Sequence, residues 1–280
     1  MKPSPGKIVI FGQYKSGTTG VFTKIRNSLP GEPRTLFEPL AYTPEPSDAE
    51  RWVIAKTILK FAGHPEPVDY DSFLGFDRRI YLVRDPRDWL VSFALFLCQE
   101  KPSIFTDDRA MRWVMDYLRR KEADPECAPL KELLDFLFAP EPSMSAEFFA
   151  QRTQGLQALC MGFEQRLGDN AIRLGYEDFV DGKLERLSHY LEIDLAGDAE
   201  VDSKYAHVPR TCAYGDWKNW LTAADEAFFR PYFDAYIRHY GYQPDWETNA
   251  QPRIDPAHGS AYVARVVAMK RERLGLAGQG

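Results

Sequence analysis

The sequence predicts an α/β fold: a three-layer arrangement with a parallel sheet flanked by helices. Three observations carry this. Short apolar runs alternate with helix-like segments along the first part of the chain. A glycine-bearing loop, "FGQYKSGTTG", follows the first apolar run directly. The clearest strand, "RRIYLV", runs straight into "RDPRDWLVSFALFL", where Asp85 can cap a helix and Pro86 can open it.

The elements follow in order. Lys7–Phe11 reads as a short buried strand, and "TTGVFTKIRNSL" as a helix closed by Pro30 and Gly31. "RTLFEPL" and "RWVIAKTIL" read as second and third strands, separated by a polar, proline-rich loop. From about 106 to 167 the pattern is helical, forming an insertion of about 101–167 in a single domain of 1–280. "AIRLGYEDF" returns to strand character and ends in a helix near Glu177. A loop-rich stretch after Gly197 precedes "GDWKNWL", the helix "TAADEAFFRPYFDAYIRHYG" and a last basic helix of about 257–274. The aromatic residues of the penultimate helix recur at helical spacing and read as core. Ligands of such a sheet sit at the carboxyl ends of its strands.

Composition narrows the function. A hydrophobic content of 44% supports a buried core, and a net charge of −6 argues against a sustained nucleic-acid surface. The N-terminal apolar run is too short for a signal peptide or a membrane span, so a cytoplasmic protein is expected. Cys98, Cys127, Cys160 and Cys212 are widely spaced, which predicts free thiols rather than a metal site.

The loop after the first strand is suited to phosphate, yet its lysine is displaced. A nucleotide triphosphatase loop places lysine after its second glycine; here Thr18 stands there and Lys15 precedes Gly17. The amides of Ser16, Gly17, Thr18 and Thr19 at a helix start can still hold a phosphate. What is missing is the usual reach toward a γ-phosphate.

"QYKSGTTG" resembles the 5′-phosphosulfate loop of the PAPS-dependent sulfotransferases, whose recurrent core is K-S-G-T-T. "YLVRDPRDWLVS" is similar to the family's second motif, which implies that Arg84 and Ser92 bind the 3′-phosphate. "RTCAYGDWKNWLT" resembles its C-terminal segment and adds Arg210; "YEDF" resembles the segment whose tyrosine, here Tyr176, approaches adenine. The resemblance implies a P-loop-NTPase-like sulfotransferase core that uses PAPS, releases PAP and requires no metal. Three departures stand out. Gly20 replaces the family's adenine-packing tryptophan, Thr211 and Cys212 replace its Lys-Gly, and no copy of its dimerisation motif is found, which leaves the oligomeric state open.

Sulfuryl transfer needs a base for the acceptor's proton and cations for the leaving phosphate. Lys15 is the natural cation, and Lys56 can assist it from the same cleft or be a surface lysine on an edge strand. Glu38, in an F-E-P segment like that of carbohydrate and many bacterial members, is the leading base. His64 is the alternative, because Ile58 takes the place of the phenol enzymes' histidine. An aliphatic hydroxyl needs the base more than a phenol does, so the expected acceptor is a carbohydrate, lipid-linked or natural-product alcohol. The rival readings are a P-loop kinase or NTPase and a non-catalytic PAP-binding relative.

Overall fold

The computed structural model describes residues 4–61, 63–139, 144–200 and 210–276. The chain packs as two compact units, 4–84 with 155–200 and 85–154 with 210–276. Each has its own hydrophobic core.

The first unit holds five parallel strands: β1 (Lys7–Gly12), β2 (Arg34–Phe37), β3 (Val53–Ile58), β4 (Arg78–Val83) and β5 (Ala171–Gly175). Their spatial order is β2-β3-β1-β4-β5, and every pairing is parallel. The helix α1 (Thr18–Ser28) carries the chain from β1 to one side of the sheet, while β4 and β5 lie on the other side. The connections therefore diverge between β1 and β4, and the loops beyond these two strands flank the switch point where such sheets bind ligands.

One sheet face presents Ile8, Ile10, Ile54, Ile80, Leu82 and Leu174 to Val21, Phe22 and Ile25 of α1 and to Leu187 and Leu191 of α8 (Glu185–Leu191). On the opposite face Phe11 meets Phe73 and Phe163 edge-on, the latter from α6 (Ala146–Arg166), which gives this unit its residues from Gly155 onward. With both faces covered, the strands read as apolar runs rather than alternating ones. This is the layered parallel sheet that the sequence predicts.

The second unit is helical. It contains α2 (Pro86–Glu100), α3 (Pro102–Phe105), α4 (Asp108–Ala123), α5 (Leu130–Phe138), α9 (Trp217–Trp220), α10 (Ala223–Tyr240) and α11 (Ser260–Arg273). Asp85 caps α2 by accepting from the Arg87 amide, with Pro86 at the first position, as the sequence suggests. Phe229, Phe233 and Ile237 of α10 are fully buried in this core. The start of the predicted loop-rich stretch (198–200) is described, and 201–209 lies outside the described residues.

Two expectations shift. "RTLFEPL" is extended only to Phe37, because Glu38 takes a left-handed conformation (φ 54°) that no strand continues through. The helix after β5 is two helices, α7 (Tyr176–Val180) and α8, divided around Gly182, which has φ 72°. All four cysteines are free thiols, as expected. Among the described residues no helix is long and apolar enough to cross a membrane.

Truncating a fully buried side chain in the first core should remove contacts that cannot be remade. Ile10→Ala is expected to cost about 2–5 kcal/mol, read as a lowered urea midpoint with an unchanged slope.

Candidate functional site

The loop from β1 to α1 is shaped by close approach. Ser16 donates its amide to the Gln13 carbonyl (3.2 Å) and its hydroxyl to the same oxygen (2.7 Å). A side chain at Gly12 would place its Cβ 2.7 Å from both Ser16 Oγ and Thr18 Cγ2, so the turn closes only over glycine. Lys15 and Gly17 both have positive φ, 61° and 95°. The first intrahelical bond of α1 runs from the Val21 amide to the Gly17 carbonyl, leaving the amides of Thr18, Thr19 and Gly20 without intrahelical acceptors. Gln13 also donates to Cys160 Sγ of α6, and burial pushes that thiol up to about 11, which keeps it protonated and inert.

Arg84 leaves the end of β4 beside this loop. Its Nη1 donates to the Lys15 carbonyl at 2.7 Å, and its guanidinium carbon lies 4.3 Å from the centre of the Tyr176 ring. Arg84 is 6% exposed, its Nε is buried without a hydrogen-bond partner, and no carboxylate of the described residues pairs with it. A buried cation left this way is costly unless an anion reaches it. Tyr176 in turn covers Gly17, where an added Cβ would meet the ring at 2.4 Å.

A second cluster forms at the ends of β2 and β3. Lys56 lies on β3, which is flanked by β2 and β1, and is 2% exposed. The reading of Lys56 as a surface lysine on an edge strand is therefore set aside. Its ammonium donates to Glu38 Oε1 (2.6 Å) and Thr19 Oγ1 (2.9 Å), and sits 3.9 Å from the centre of the Phe37 ring. Burial lowers its pKa from the ordinary lysine value, and the adjacent Glu38 carboxylate opposes that shift. Glu38 remains 40% exposed at its side chain, so one end of the pair is buried and the other open.

The first unit thus gathers Lys15, Ser16, Gly17, Thr18, Thr19, Glu38, Lys56, Arg84 and Tyr176. His64 belongs to the same unit, but its partners are Glu66 and the Phe61 ring within its own turn. Ser92 and Arg210 belong to the second unit. There Ser92 is buried on α2, and Arg210 donates to Asp216 (2.6 Å) while its Nε and Nη2 are buried without partners. Asp88 accepts from the Gly215 and Trp217 amides, which fixes the segment following Arg210.

No protein-family model matches the chain, and no curated protein matches it. Among solved structures it is similar to one described as mouse sulfotransferase SULT7A1 complexed with PAP, at 17% identity and a TM-score of 0.47. That match covers 85% of this chain and 87% of the other.

Sequence reasoning missed Phe179. Its ring would lie 3.1 Å from a Cβ at Gly20, the position where the resemblance leads one to expect a large aromatic residue. The signal available was "YEDF" itself, which places Phe179 one helical turn beyond Tyr176.

Two outcomes follow from this geometry. Gly17→Ala should destabilise the protein by about 2–4 kcal/mol, from left-handed strain and the Tyr176 clash together. In a Tyr176→Ala background the cost should fall toward the strain alone, about 1 kcal/mol, as a double-mutant cycle by urea denaturation would show. The Lys56 ammonium should titrate below the ordinary lysine value by side-chain NMR, and Glu38→Gln should lower it further by removing the one opposing charge. Because the folded value lies below the unfolded one, the unfolded state binds more protons between the two. Lys56 should therefore make stability rise with pH across that window, and Lys56→Met should flatten the rise.

Proposed function

We propose that this chain is a PAPS-dependent sulfotransferase acting on an acceptor hydroxyl. The observation that carries the reading is Arg84: a buried guanidinium with an unpartnered Nε and no carboxylate, beside a loop of helix-start amides. Anion binding supplies the missing partner, and a lysine before Gly17 suits a ligand without a γ-phosphate. The orphaned Nε of Arg84 fits a phosphate oxygen. When bound, PAPS supplies a sulfuryl group on a good leaving phosphate.

In this reading the amides of Ser16, Gly17, Thr18 and Thr19 hold the 5′-phosphosulfate, and Lys15 counters the charge that grows on the leaving phosphate oxygen. Arg84 binds the 3′-phosphate, to which the sequence pattern also assigns Ser92 and Arg210, while Tyr176 and Phe179 border the adenine. Glu38 accepts the acceptor's proton as the acceptor oxygen bonds to sulfur. The sulfur–oxygen bond to the 5′-phosphate breaks and its electron pair stays on that phosphate, so the products are a sulfate ester and PAP. Lys56 holds the Glu38 carboxylate in place, which supports Glu38 over His64 as the base.

Melting curves test the donor site. PAP at a hundred times its dissociation constant should stabilise the protein by about 2.7 kcal/mol, with or without EDTA. Arg84→Gln should remove most of that effect. Stabilisation by ATP with Mg²⁺ but not by PAP would replace this reading with the kinase or NTPase one. Glu38→Gln should leave PAP stabilisation intact and lower PAP release from PAPS across an alcohol panel by about 10²–10⁴-fold.

A further inference from the structure

Glu38 stands in an apolar setting. Residues 37–41 read Phe-Glu-Pro-Leu-Ala, and the carboxylate is their only polar side chain. Among the described residues the exposed large hydrophobics are Phe37 (37%), Leu40 (47%), Tyr214, Met269 and Leu274. Two of these five flank the carboxylate. Single exposed hydrophobic residues need no explanation, but a pair bracketing a charged group does.

The backbone that carries them is pinned. Glu38 donates its amide to the Lys56 carbonyl (2.8 Å), and the Leu40 carbonyl accepts from the Asp69 amide (2.7 Å). Tyr42 then donates its amide to Ser72 Oγ and its hydroxyl to Asp48. The Phe37 ring rests edge-on against Phe22 of α1. Phe37 and Leu40 are thus presented on fixed supports, so covering them with a ligand costs little ordering.

We infer that Phe37 and Leu40 are an apolar contact for the acceptor, whose reacting hydroxyl is borne on a hydrocarbon body rather than on a sugar ring with many hydroxyls. The inference rests on Glu38 being the base, and it narrows the acceptor class of that same site. A polyhydroxylated ring laid on these two side chains would lose water from its hydroxyls and find no partners there. A hydrocarbon body gains from the same contact and also excludes water from the Glu38–Lys56 pair, strengthening each charge interaction within it.

The test uses the full chain with leucine methyl groups labelled with carbon-13, titrated with 1-octanol or with glucose, each with and without PAP. 1-Octanol should shift the Leu40 methyl signals saturably, and glucose should leave them in place. Leu40→Ser, an exposed change that spares the core, should weaken 1-octanol binding roughly three- to tenfold. The inference is overturned if glucose moves these signals and 1-octanol does not, if neither moves them, or if Leu40→Ser binds 1-octanol unchanged. Amide signals of residues 13–17 report PAP separately. If they ignore PAP while 1-octanol still titrates Leu40, the donor-site reading fails and the apolar contact stands.

Discussion

One guanidinium ties together the loops that leave three neighbouring strands. Arg84, at the end of β4, holds the carbonyl of Lys15 beyond β1 and lies against the ring of Tyr176 just beyond β5. Tyr176 presses on Gly17, whose left-handed backbone opens α1. These elements are separated by up to more than half the chain in sequence, and parallel strand order brings them to one edge. Without the arginine, the β1 loop would lose its cross-strand anchor and the aromatic ring its cationic neighbour.

The second cluster is built on the opposite principle. Arg84 is buried without a countercharge, whereas Lys56 is buried with one, and the Glu38 side chain stays partly exposed. Lys56 lies on β3 and Arg84 just beyond the end of β4, the strands that flank β1 on either side. One keeps a buried donor without an acceptor; the other steadies a carboxylate at the end of β2. The division arises from the neighbours each strand provides.

Much of this was legible in the sequence, because it rests on local chemistry. The strands, the Asp85 cap and the glycine-bearing loop follow from apolar runs, capping residues and glycine placement, which act within a few residues. Lys56 was harder. A lysine amid "VIAKTI" reads equally as an edge residue, and only the strand order shows that β3 has neighbours on both sides. Phe179 was signalled only by its place one helical turn beyond Tyr176 in "YEDF", and the Cys160–Gln13 contact was out of reach, since it joins elements distant in sequence. The left-handed turn at Glu38 also escaped notice: the following proline disfavours helix but does not dictate a positive φ.

That turn sets two kinds of selection against each other. A non-glycine residue in the left-handed region is held there at a cost of about 1 kcal/mol or more, and glycine or asparagine would relieve it. In a Lys56→Met background, where no buried ammonium needs Glu38 as its countercharge, a library sorted only for thermal endurance should therefore enrich those two residues at position 38. A library sorted for the chemistry of the carboxylate should keep glutamate despite the strain. The same site would then read as a flaw in one experiment and as indispensable in the other, with the difference between the two enrichment profiles reporting what the carboxylate contributes.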